Sequence, residues 1–218
     1  MIRGPFLKTR AGRVSLLSML VLDIFVIPVA LTNEWIPHRL GDLVFAATML
    51  VAINAMGTGK GRRTVLAIAS AACAIQFFRL LEHGRTLVIA DAVLSAIAMG
   101  TFAGLVLYDV FRNDPGPDRL IDVILAYLLV GATYAFVYET VNVAVPGSIT
   151  MEGHGVTPAD YIYFSLTTMT SVGFGDVLPR TPVARAFAMA QALTGQLYVA
   201  VLIARFANPA RPGHRGAA

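Results

Sequence analysis

The chain has 218 residues, 56% of them hydrophobic and only 14% charged, with a formal net charge of +4 and a pI near 9.5. Soluble domains carry roughly 25% charged residues, so this composition excludes a soluble globular protein and points to an integral membrane one. The small positive excess needs no nucleic acid partner. The single cysteine, Cys73, cannot form a disulfide within the chain and reads as a packing residue. His38, His83, His154 and His214 are scattered, so no metal cluster or catalytic constellation is visible and no enzyme is expected.

Apolar runs long enough to cross a bilayer as helix fall at 14–31, 40–57, 64–81, 86–108, 120–141 and 183–207, which predicts six spans. Arg3, Lys8, Arg10 and Arg13 precede the first. No small-residue cleavage site follows it and five more spans do, so it reads as a retained helix rather than a signal peptide. Asp23 and Asp91 lie inside apolar runs, where ionisable residues are functional candidates. Arg79, in the outer third of the third span, is the expected ion-pair partner of Asp91. Gly57-Thr58-Gly59-Lys60-Gly61 imitates a phosphate loop, but Asn54 stands where the first glycine belongs and Gly61 where a hydroxyl belongs. It reads as an interfacial turn.

The fourth run, 86–108, contains no basic residue. Only Arg85 at its edge and Arg79 in the previous run stand near, so no ladder of basic residues is expected in it. Gly100 and Gly104 form a small-xxx-small face for helix packing. The most helix-hostile inner loop, Phe111-Arg112-Asn113-Asp114-Pro115-Gly116-Pro117-Asp118, then separates two modules: a four-helix membrane domain at 1–113 and a second unit at 114–209. A short tail, 210–218, follows, and no ligand-sensing domain is expected there.

Lys and Arg are retained on the cytoplasmic side of short loops. With the N-terminus inside, inner segments hold Arg3, Lys8, Arg10, Arg13, Lys60, Arg62, Arg63, Arg112, Arg119, Arg205, Arg211 and Arg215, twelve of the 17 basic residues. Both termini are therefore expected to be cytoplasmic, in a multi-pass protein of the cell (inner) membrane. The loop between spans five and six then faces outward. Within it, Thr157 is placed to cap a helix, Pro158 suits its first turn, and Asp160 can complete a capping box. The predicted helix starts at about 158, runs through Met169, and is too short to span the bilayer.

That helix hands over to Thr168-Met169-Thr170-Ser171-Val172-Gly173-Phe174-Gly175-Asp176. A backbone whose successive carbonyls face one way needs conformations that a β-carbon resists, and Gly173 and Gly175 sit where this demands. Here the sequence resembles the potassium channel superfamily, specifically a small prokaryotic six-span member with one pore loop per subunit and no arginine-bearing fourth span. The specific match covers about 157–207 and the general layout 118–207.

The resemblance implies an all-α membrane fold with a re-entrant pore helix and filter between helices five and six. It implies a K⁺-conducting homotetramer, so the expected partners are three identical subunits and the lipid bilayer. K⁺ would bind carbonyl rings of the filter positions Ser171, Val172, Gly173, Phe174 and Gly175, with Asp176 at the outer mouth, Thr170 before the filter, and no cofactor beyond the ions. Ser171 replaces the usual threonine but keeps its hydroxyl, and Phe174 replaces the usual tyrosine. Tyr163 and Phe164 fall on the aromatic cuff behind the filter, where Phe164 and Phe174 cannot supply the usual tether and Tyr163 is within reach of Asp176. Glu139 matches a glutamate that braces the pore loop. Gly195 matches a hinge glycine, with close packing as the alternative, and Gln196 would face the cavity or a subunit contact. A non-selective cation channel on the same fold, or a non-conducting regulatory membrane subunit, remain alternatives.

Overall fold

The computed structural model describes residues 9–33, 35–37, 44, 47–48, 50–52, 67, 70, 84–112, 119–153 and 155–207. It is mostly helical. Among the described residues, four helices are long and apolar enough to cross a membrane: α1 (Arg10–Thr32), α2 (Arg85–Arg112), α3 (Arg119–Ala144) and α5 (Pro182–Ala207). A shorter helix, α4 (Pro158–Met169), precedes α5. The spans expected at 40–57 and 64–81 fall for the most part outside the described residues, as do Arg79 and the Gly57–Gly61 turn.

Thr9 starts α1, its hydroxyl accepting the Gly12 N–H at 3.1 Å. The helix widens by one residue over Leu22–Val26, where the Ile27 N–H reaches back to the Leu22 carbonyl. Pro28 accounts for this, since it has no N–H to offer the carbonyl four residues earlier and its ring crowds that turn. Asp23 sits in the widened turn, and Thr48 gives it a polar contact.

α3 is the central element, packing on α1, α2, α4 and α5. Leu16, Leu20 and Ile24 of α1 join Met99, Phe102 and Val106 of α2 and Leu125, Ala126 and Leu129 of α3 in one buried cluster. A β-carbon on Gly100 would lie 3.2 Å from Thr133 Cγ2, so this glycine lets α2 and α3 approach, whereas one on Gly104 meets nothing within 4 Å among the described residues. Charges join the helix ends beside this core. Arg13 lies 3.2 Å from Asp122, and Arg119 bonds Asp109 at 2.9 Å. α2 continues through Arg112, past the expected break at Phe111, and the Arg205 guanidinium of α5 donates to the Phe111 carbonyl at 2.6 Å.

Two strands add to the expected all-α plan. β1 (Ile149–Met151) pairs antiparallel with β2 (Val177–Pro179), in the register Ile149 with Pro179, Thr150 with Leu178 and Met151 with Val177. Ile149 and Val177 drive the pairing, both buried in a second apolar cluster with Tyr138, Tyr161 and Phe164.

Candidate functional site

α4 begins where its local chemistry dictates. The Asp160 carboxylate accepts the Thr157 N–H at 2.7 Å and the Thr157 hydroxyl at 2.8 Å, and Pro158 occupies the first turn, where no donor is wasted. Its twelve residues are too few to cross a bilayer. At the other end the helical pattern gives way. The Thr170 N–H still reaches Leu166, but the N–H groups of Val172 and Gly173 both donate to the Thr167 carbonyl, at 3.0 and 3.1 Å. With the Ser171 N–H on the Thr168 carbonyl at 3.0 Å, the chain beyond α4 thus hangs from two carbonyls near the helix end.

Over the next five residues the backbone alternates in hand. Ser171, Gly173 and Gly175 have φ of +59°, +50° and +81°, while Val172 and Phe174 between them do not enter the left-handed region. Glycine adopts such conformations freely, but Ser171 is the single non-glycine among the described residues that does so. A side-chain residue held there costs of order 1–3 kcal/mol, and Gln196 offsets part of it by donating from Nε2 to Ser171 Oγ at 2.9 Å. Gln196 therefore contacts the first residue of the 171–175 segment within the same chain. The alternation leaves Val172 and Phe174 56% and 71% exposed, unusual for large apolar side chains.

Outside this segment, Asp176 is held by two bonds. Tyr163 Oη donates to Oδ2 at 2.8 Å and the Val177 N–H to Oδ1 at 3.0 Å. The Tyr163 bond, chiefly, lowers the Asp176 carboxyl below its ordinary value of 3.8. The Tyr163 ring also stacks on Phe174, with centroids 6.1 Å apart and planes 9° from parallel. Within the chain Phe164 turns away from Phe174 and packs on Tyr138 at 4.8 Å. Glu139 is half-buried on α3, its charge near Tyr161. Thr170 Oγ1 donates back to Leu166 at 2.8 Å and so closes the end of α4.

Behind the segment, Gly195 meets the last carbonyl of α4. A β-carbon there would lie 2.0 Å from Met169 O and 2.9 Å from its carbon, closer than atoms can approach. Of the two roles expected for Gly195, packing thus has a contact to account for it. The Tyr127 hydroxyl donates to the same carbonyl at 3.4 Å.

Sequence reasoning missed several polar residues around α4. Tyr138, Gln191 and Ser165 form a fully buried chain of hydrogen bonds that ends on the Gly131 carbonyl. Asn142 donates to Tyr161 Oη at 2.7 Å and accepts the Ile149 N–H at 2.9 Å, tying α3 to both α4 and β1. Their one signal in the sequence is polarity inside apolar helices, where a buried group must find a partner.

Residues 122–211 match the ion channel family. Within the chain this region takes in α3, α4, the alternating segment and α5. An 81-residue stretch, 37% of the chain, is 35% identical to the two pore potassium channel c of Oryza sativa subsp. japonica and covers 16% of that protein. An alignment of 91 positions, covering 38% of the chain, is 33% identical to the inward rectifier potassium channel Kirbac3.1 of Paramagnetospirillum magnetotacticum and covers 28% of it. The chain thus spans well under a third of the length of either relative. No solved structure shows a significant match. The matched family and both relatives are channels rather than enzymes. With its long apolar helices, the chain is a multi-pass membrane protein in which residues 122–211 match the ion channel family.

Proposed function

We propose that the chain is one subunit of a homotetrameric K⁺-selective channel, with residues 171–175 of four copies forming the selectivity filter. The observation that carries this reading is the alternation of left-handed φ at Ser171, Gly173 and Gly175 directly after a short helix. A strand of alternating hand can turn successive carbonyls to one side, and four such strands around an axis replace the water shell of a K⁺ ion. Ser171, Val172, Gly173 and Phe174 then supply the ion sites, and Asp176 stands at the outer mouth. The α4 C-terminus, with its partial negative charge, would favour a cation in the cavity below.

Several observations support assembly from four copies. One chain carries one such strand, and α5 leaves Phe187, Met189, Leu193 and Leu197 exposed. Only 17% of its apolar window is buried, against 56% for α3. Neighbouring subunits and the bilayer would cover these side chains. In this reading the subunit has six spans, both termini cytoplasmic in the cell (inner) membrane, a four-helix domain at 1–113 and a pore domain at 114–209. With no basic residue inside 86–108, open probability varies only weakly with voltage.

Reconstitution into liposomes tests the proposal. Reversal potentials in mixed K⁺ and Na⁺ are expected to give at least about tenfold preference for K⁺, and native mass spectrometry a tetramer. Equal permeability would overturn selectivity in favour of a non-selective cation channel. A monomer, or protein that passes no ion, would overturn the channel itself.

A further inference from the structure

We propose that Tyr138, Gln191 and Ser165 act as a positioning relay that sets how long the filter stays conductive, an inference that rests on the channel reading above. The three side chains come from α3, α5 and α4, and each is completely buried. Tyr138 Oη donates to Gln191 Oε1 at 2.5 Å, Gln191 Nε2 to Ser165 Oγ at 2.6 Å, and Ser165 Oγ to the Gly131 carbonyl at 2.6 Å. The proton order has one consistent solution. A carbonyl cannot donate, so the Ser165 hydroxyl proton is committed to Gly131, Ser165 can then only accept, and the amide must present its NH₂ group. Turning the Gln191 amide over would forfeit the bond to Gly131. The relay therefore runs in one direction from the phenol to the backbone, and breaking any link leaves a buried polar group unsatisfied.

Its position explains why the filter would feel it. Ser165 lies two residues before Thr167, whose carbonyl holds the N–H groups of Val172 and Gly173. Gln191 lies one helical turn before Gly195, whose backbone touches the Met169 carbonyl. α4 is thus fixed to α5 at two points one turn apart, a hydrogen-bonded one at its middle and a steric one at its end. With the first removed, the C-terminal half of α4 keeps only the steric point against α5, while its N-terminal half stays tied to α3 through Asn142 and Tyr161; a shift of Thr167 then moves the filter backbone with it. Gly131 completes the seat: a β-carbon there would lie 2.9 Å from Leu166 Cδ2, so the glycine lets α4 lie close enough for Ser165 to reach the helix behind it. The relay matters more in this chain because Phe174 has no hydroxyl with which to be anchored.

The test uses the full chain reconstituted in liposomes, with single-channel lifetimes measured as external K⁺ is lowered. Tyr138→Phe deletes one oxygen and Gln191→Met removes the amide at similar volume. Each is expected to shorten conducting lifetimes about threefold to tenfold. The double variant is expected to be no worse than the more affected single one, because either change breaks the same unit. Raising external K⁺ is expected to restore the lifetimes, since ions in the carbonyl rings brace what the relay no longer holds; a residue that serves packing alone gives no such rescue. Wild-type lifetimes in both variants, independent multiplied effects, or shortening that K⁺ does not relieve would each overturn the relay. If Gln191→Met yields no protein, Tyr138→Phe and Ser165→Ala, each lacking one oxygen, run the same cycle. A wild-type chain that passes no K⁺ overturns the channel reading and the relay's role together, whereas a conducting wild type with unaltered variants overturns the relay alone.

Discussion

The two ends of α3 are held by different chemistry. Where the helix starts, Arg13, Asp109, Arg119 and Asp122 bring charges from three helices together. Towards the other end, Tyr138 and Asn142 make only neutral hydrogen bonds, to Gln191, Tyr161 and the Ile149 amide. The difference follows from cost. Taking ions out of water is expensive unless each is closely paired, and the expense grows towards the centre of a bilayer, so this paired cluster is favoured at a helix end. A neutral hydrogen bond avoids that penalty and fixes direction as well as distance. The charged end joins α3 to α1 and α2, whereas the neutral end joins it to α4, α5 and β1.

Removing a charge should do the most damage. Asp122→Leu strips the buried Arg13 of a carboxylate 3.2 Å away and is expected to cost about 3–5 kcal/mol, read as a loss of thermal stability in detergent. Arg13→Met combined with Asp122→Leu should recover most of it. A double variant as unstable as the single one would show that the two charges are not coupled.

Gly195→Ala comes next, because its β-carbon has nowhere to go beside Met169. Overpacking of this kind costs about 1–3 kcal/mol, and a lower melting temperature with reduced oligomer yield is expected. Unchanged stability with altered open probability would assign Gly195 to a hinge instead.

At the neutral end, Asn142→Leu leaves the Ile149 amide without its acceptor and is expected to cost about 1–3 kcal/mol. Hydrogen exchange at that amide should quicken while exchange near Asp122 stays as in the wild type. Equal quickening at both places would erase the contrast between the two ends.

Tyr163→Phe should have the smallest effect, because Asp176 is exposed. The Tyr163 bond lowers the Asp176 carboxyl below 3.8, so its stabilising effect is complete at neutral pH and is lost only as pH falls through that lowered value. A pH between 5 and 8 is therefore expected to leave the Asp176–Tyr163 contact unchanged. In Tyr163→Phe the carboxyl should move back towards 3.8, shifting the acid limb of any conductance profile upward. An unmoved acid limb would separate Asp176 from that profile.

What the sequence made legible was local. Thr157, Pro158 and Asp160 sit within four residues of one another and mark the start of α4 without outside help. The spacing of Gly173 and Gly175 likewise announces a backbone of unusual hand. Ser171 was not legible as a third left-handed position, because nothing in a serine signals it and its support comes from Gln196 on another helix. Arg13 with Asp122, Asn142 with Tyr161, and the β1–β2 pair were equally hidden, since each joins residues far apart in the chain. Apolar periodicity finds spans well, but it does not say which polar residues within them face one another.

The β1–β2 pair also bears on how the segment between its strands could have changed over time. Met151 and Val177 are cross-strand partners, so residues 152–176 leave and rejoin the protein at one place, as a loop with its ends fastened. The entropy of closing a loop grows only with the logarithm of its length, each doubling adding about 0.6 kcal/mol. Residues 152–156, ahead of the helix cap, can therefore lengthen or shorten at little thermodynamic cost, while the clasp keeps β2, and with it the end of the 171–176 segment, in register. The clasp thus gives the loop a stretch whose length is free to vary without moving the residues on its far side.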